Sequence, residues 1–144
     1  MAFELSLNKD RTYELLELTI ANGARPVMII EDPEGVAHDL FVELIFSERK
    51  DSKVLDYNDF VMDYAFDMEK IRELTKYCFV VIENVKFLYG KSATSKILAD
   101  FAEKMSTEST AVIFIGKRIT YDMAEFMEYA KDTIQYIIRL DSEE

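Results

Sequence analysis

The chain has 144 residues, 49% hydrophobic and 12% aromatic, which is enough for one domain with a substantial core. Its formal net charge of -11 and pI near 4.6 exclude non-specific contact with DNA or RNA, which needs clustered Lys and Arg. The one cysteine, Cys78, excludes a disulfide framework or a cysteine zinc cluster, and no apolar run approaches the ~20 residues of a membrane helix.

Phe3, Leu5 and Leu7 alternate with polar residues, as in a short edge strand or an extended arm. Asp10 is placed to cap a helix over about 11–21, with Tyr13, Leu16 and Ile20 on one face and Asn22-Gly23 as its stop. Pro26 opens an apolar run, Val27-Met28-Ile29-Ile30, that reads as the first core strand. The loop Glu31-Asp32-Pro33-Glu34-Gly35 leads into an expected helix over 36–46, with Leu40, Phe41, Leu44 and Ile45 inward. A short strand follows at 53–56. Asp59 and Asp67 are plausible caps, so 59–76 reads as two helical pieces or one bent helix, with Phe60, Tyr64, Ile71 and Leu74 facing the core.

Phe79-Val80-Val81-Ile82 is a continuous apolar run, as in a strand buried on both faces. It stops at an acid and an amide, Glu83-Asn84. In α/β sheets ligands sit at the carboxyl ends of the strands, so polar groups stand where chemistry is expected. Phe87 and Leu88 are expected to pack in the loop that follows. An amphipathic helix is expected over 93–105, with Ile97, Leu98, Phe101 and Met105 on one side. The strand at 111–115 ends in Gly116-Lys117-Arg118, and a helix over 121–130 precedes a last strand at 134–140. Strands and helices alternate with short connections, which predicts a parallel, three-layer α/β sheet. The expected organisation is a single domain over 1–144, with an arm and helix over 1–23 and the core over 24–140.

The frame Val81-Ile82-Glu83-Asn84-Val85-Lys86-Phe87-Leu88-Tyr89-Gly90-Lys91-Ser92-Ala93-Thr94 resembles the ATPase domain of the bacterial replication initiator DnaA and its AAA+ relatives. Phe87, Leu88, Gly90, Lys91 and Thr94 fall in that family's register, and Phe101 and Lys117-Arg118 match it in spacing. Arg25 to Ile30 is similar to the strand that leads into the family's phosphate loop. The resemblance covers about residues 24–140. It implies a P-loop NTPase fold with five core strands, counted from Val27, in the order 5-1-4-3-2.

The departures from that family fall together on its catalytic groups. A phosphate loop needs glycines whose backbone N–H groups wrap the phosphates, a Lys for the terminal phosphates and a Ser or Thr for magnesium. In register, the glycine positions hold Glu31, Asp32, Glu34 and Val36, beside Gly35; the Lys position holds Ala37, and the Ser/Thr position holds His38. The paired acids that position magnesium and water in the family become Glu83 and Asn84. The polar residue after its fourth strand becomes Gly116 or Lys117. With the fifth strand placed at 134–140, no counterpart of the family's arginine-bearing lid is expected. The resemblance, so altered, implies a non-catalytic domain that binds a protein partner, an AAA+ replication protein, with no nucleotide, no cofactor and no metal.

Other readings of these residues stand beside that one. Glu31, Asp32 and Glu34 read either as a solvated acidic loop or as a cation site of the kind found in response-regulator receivers. Ile29-Ile30-Glu31-Asp32 is similar to the opening of a receiver, and Arg139 loosely to its late lysine, so a pseudo-receiver signalling module is the alternative. Cys78 reads as a buried core thiol and His38 as a loop residue without a histidine or nucleophile near it. Lys117 and Arg118, basic in an acidic chain, read as a solvated loop or as a contact for an acidic partner. The N-terminus carries no basic and apolar leader, so a cytoplasmic protein is expected.

Overall fold

The computed structural model describes residues 3–21, 26–37, 52–64, 66–85, 92–108, 110–117 and 133–140. Six strands form one sheet: β1 (Phe3–Leu7), β2 (Val27–Glu31), β3 (Ser52–Asp56), β4 (Phe79–Glu83), β5 (Ala111–Gly116) and β6 (Tyr136–Leu140). Four helices are described: α1 (Lys9–Ala21), α2 (Tyr57–Asp63), α3 (Met68–Leu74) and α4 (Ser92–Thr107). Every strand pairing is parallel, and the order is β1-β6-β2-β5-β4-β3.

The expected five-strand sheet is corrected to six strands, because Phe3–Leu7 joins the sheet beyond β6 in the register Phe3↔Tyr136 to Leu7↔Leu140. Its alternation explains why it stands at the edge. Leu5 and Leu7 pack against the core beneath α1, while Glu4 and Ser6 are exposed. β2 lies between β5 and β6. A receiver would instead set it directly beside β4, so the sheet does not follow that alternative.

The unbroken apolar runs follow from burial on both faces. Alternate residues point to opposite sides of a strand. Val27, Ile29, Val80, Ile82, Val112 and Phe114 therefore enter one core layer, with Phe60, Ile71, Leu74, Leu98, Phe101 and Met105 from the helices. Met28, Ile30, Phe79, Val81, Ile113 and Ile115 enter the other, with Leu16 of α1. In the first layer Phe101 meets Phe60 edge-on at 4.7 Å between ring centroids and Phe114 at 6.5 Å.

Two of the three caps differ from those expected. Asn8, not Asp10, caps α1: its side-chain oxygen accepts from the Arg11 N–H at 2.8 Å, three residues on. Asp56, not Asp59, caps α2, so the last residue of β3 also starts the next helix. Asp67 caps α3 as expected, and 57–74 forms two helices. The final strand starts at Tyr136 rather than Ile134, because Gln135 binds Val27 through both its backbone and its side chain. Cys78 is half-buried rather than buried. The expected helices over 36–46 and 121–130, with Phe87 and Leu88, fall outside the described residues apart from Val36 and Ala37, as do the side chains of Ile20 and Ile97. No described helix is long and apolar enough to cross a membrane.

Candidate functional site

The site lies where β2, β4 and β5 end. Asp32 leaves β2 hooked to its neighbour, its N–H donating to the Gly116 carbonyl at 2.7 Å. Asp32-Pro33-Glu34-Gly35 then turns back on itself, with the Gly35 N–H donating to the Asp32 carbonyl at 3.3 Å. Asp at the first position, Pro at the second and Gly at the fourth suit such a turn. Gly35 has φ +72°, where a side chain would be strained.

The Asp32 carboxylate folds over this turn. Its two oxygens accept from the Val36 N–H at 3.1 Å and the Ala37 N–H at 2.9 Å. The chain turns helical at those two residues, whose N–H groups have no carbonyl partner earlier in the helix. A phosphate loop would offer these same donors to a phosphate. Here the chain fills them with its own anion, and Asp32 is only 4% exposed.

The solvated acidic loop is therefore corrected. Of its three acids only Glu34 is exposed. Glu31 is 6% exposed, and its carboxylate accepts from the Arg139 guanidinium on β6. Ala37 is fully buried. His38 and Arg118 lie outside the described residues.

Glu83, the last residue of β4, is buried, and Asn84 just after it is exposed. Asn84 takes the left-handed backbone conformation, φ 58°, which asparagine tolerates better than most residues. Its side-chain amide donates to Asp56 at 2.7 Å, and the other Asp56 oxygen caps α2 through the Asn58 N–H at 3.0 Å. The Asn84 amide group is thus turned toward β3. Sequence reasoning missed Asp56; an Asp directly before a helical run was the available signal.

Asp32, Gly35, Glu83, Asn84, Ile115, Gly116 and Lys117 line one cleft of about 120 Å³. The structure thus brings the altered phosphate loop, the altered acid pair and Lys117 together. A larger cleft of about 290 Å³ lies at Glu4, Ser6, Glu31 and Arg139, but its one cation is already bound to Glu31. Among the described residues, no three of His, Cys, Asp or Glu converge as a metal site would require.

Asp32→Ala is expected to lower the unfolding free energy by about 1–2 kcal/mol, the usual loss when such a cap is removed. Urea denaturation measures it. A loss below about 0.5 kcal/mol would mean that the carboxylate does not hold the turn.

The chain is an α/β fold with an all-parallel sheet, its loop following β2 and a polar pair closing β4, an arrangement consistent with that of P-loop NTPases. Solved structures share that fold. Domain III of the replication initiation protein DnaA from Thermotoga maritima superposes with a TM-score of 0.61 and 14% identity, over 93% of this chain and 62% of that one. DnaI superposes with a TM-score of 0.66 and 11% identity, over 96% and 97%. A DNA replication initiation factor gives 0.60 and 14%, over 93% and 46%. The chain thus spans less than two thirds of the DnaA domain's length. At these identities the likeness is one of fold. No family model and no curated protein matches the sequence.

Proposed function

We propose that the chain is a non-catalytic, DnaA-like protein-interaction domain that regulates replication initiation through contact with an AAA+ partner in the cytoplasm. The observation that carries this reading is the Asp32 carboxylate, which occupies the N–H groups that would otherwise hold a phosphate. Around it, the position of the phosphate-binding Lys is a buried Ala37, and Asn84 is tied to Asp56. The fold is shared with proteins described as replication initiators, which supports the link to replication. AAA+ domains associate side by side, so a copy without catalytic groups can pair with an active one and tune it.

Calorimetric titration with ATP, ADP and GTP, with and without magnesium, tests the reading. No saturable heat is expected at millimolar nucleotide. Saturable binding that disappears when Asp32 to Gly35 is altered would return the chain to the enzymes. Capture of partners from the protein's own host complements it, with a replication AAA+ protein as the expected catch.

A further inference from the structure

Most large apolar side chains of the described residues are at least half-buried, and four are not. Three of the four stand within one short stretch at the joint between α2 and α3: Met62 is 82% exposed, Phe66 79% and Met68 58%. Their neighbours Phe60, Ile71 and Leu74 fill the core, so the two helices are already anchored on their inner sides. Met62, Phe66 and Met68 are not among the residues of that core layer. Large apolar side chains left exposed within one short surface stretch are candidates for a contact site. Methionine and phenylalanine suit such a role, because one adapts to an irregular partner and the other supplies rigid apolar area.

The charge around the patch identifies what fits it. From Asp56 to Glu69 the sequence holds five acids (Asp56, Asp59, Asp63, Asp67 and Glu69) and no base. Asp59, Asp63, Asp67 and Glu69 are exposed. The next bases, Lys70 and Arg72, follow on α3, with Lys70 over the Tyr64 ring at 5.9 Å. A second copy of this chain would bring the same acids against themselves in a two-fold pairing. Nucleic acid and anionic lipid would meet the same repulsion.

We propose that Met62, Phe66 and Met68, rimmed by Asp59, Asp63 and Asp67, form a docking surface for a basic amphipathic segment of a partner protein. The proposal rests on the protein-interaction reading and gives it a surface and a partner chemistry. The partner's apolar side chains cover Met62 and Phe66, while its Lys or Arg side chains meet the acidic rim. Rim charges of this kind set the rate of encounter and the choice of partner, and the apolar centre sets how long the complex lasts.

The probe is a fluorescein-labelled peptide of leucine and lysine only, spaced as an amphipathic helix, titrated against the full chain and followed by anisotropy. A counterpart with glutamate in place of lysine is the control. The lysine peptide is expected to bind saturably, more weakly as salt rises, and the glutamate peptide not at all. Met62→Ser with Phe66→Ser is expected to weaken binding about tenfold or more, as is Asp59→Lys with Asp63→Lys. All four positions are exposed, and circular dichroism confirms that each variant is folded. The surface is overturned if the lysine peptide does not bind or binds the Met62/Phe66 variant equally well. It is also overturned if sedimentation shows the protein pairing with itself through this patch. ATP titrated into the same samples reports separately on the underlying reading. Saturable ATP binding would sink that reading whatever the peptide does, whereas peptide binding indifferent to the patch, without ATP binding, would sink the surface alone.

Discussion

Ile82→Ala is expected to lower the unfolding free energy by about 2–5 kcal/mol. Ile82 is fully buried on β4, between Leu55 of β3 and Phe114 of β5 in the sheet register. It shares its layer with Phe60 and Phe101, two rings already held edge to face. Strands on both sides and helices above leave little freedom to collapse onto the space that three lost carbons would vacate. The lost burial and the remaining cavity therefore add. At a slope of roughly 2 kcal/mol per molar, the urea midpoint should fall by about 1–2.5 M. A loss below about 1 kcal/mol would mean that this part of the sheet repacks, and the two-layer core would need redrawing.

The second large effect is on nucleotide affinity. Asp32 and Glu83 place two carboxylates in the cleft where a triphosphate would lie, and Lys117 is the one described cation lining it. One like-charge contact at ~4 Å is worth ~4 kcal/mol of repulsion at an effective dielectric near 20, about a thousandfold in affinity. The helix start offers an anion only ~0.3–1 kcal/mol, and Asp32 already takes that. Repulsion wins. Ala37→Lys alone is therefore not expected to create an ATP site. Ala37 belongs to the core layer of Met28 and Ile30, and this buried position has no room prepared for a longer, charged side chain. Calorimetry on this variant, with its thermal midpoint measured alongside, decides the matter. Saturable ATP binding by folded Ala37→Lys would show that the missing lysine, and not the Asp32 plug, is the barrier.

The central strands were legible because their chemistry is local. Val27 to Ile30, Phe79 to Ile82 and Ala111 to Ile115 are apolar at every position, and only burial on both faces asks for that. The alternation of Phe3, Leu5 and Leu7 marked a strand but could not name its neighbour, since pairing with β6 depends on residues at the other end of the chain. The caps were ambiguous for a different reason. Asn8 and Asp10, or Asp56 and Asp59, are equally able to accept an N–H, and the choice falls to where the strand before each helix ends. The acids at the site were the least legible. Glu31 and Asp32 look alike in sequence, but one is buried by an arginine on β6 and the other by the backbone of its own turn. Nothing local distinguishes those two fates.

The position of β6 bears on how the protein is made. It is inserted between β1 and β2, and Arg139 meets Glu31 across a separation of 108 residues. A ribosome releases β1, β2 and every other described strand before it releases β6. Until then, among the described strands, β1 has no neighbour and β2 carries an open row of N–H and C=O groups along one side. Such rows are templates for pairing with other chains. Parallel pairings of long sequence separation also form slowly. The nascent chain is thus exposed to aggregation in the interval before β6 joins the sheet, and a stall in translation upstream of Tyr136 would prolong that interval.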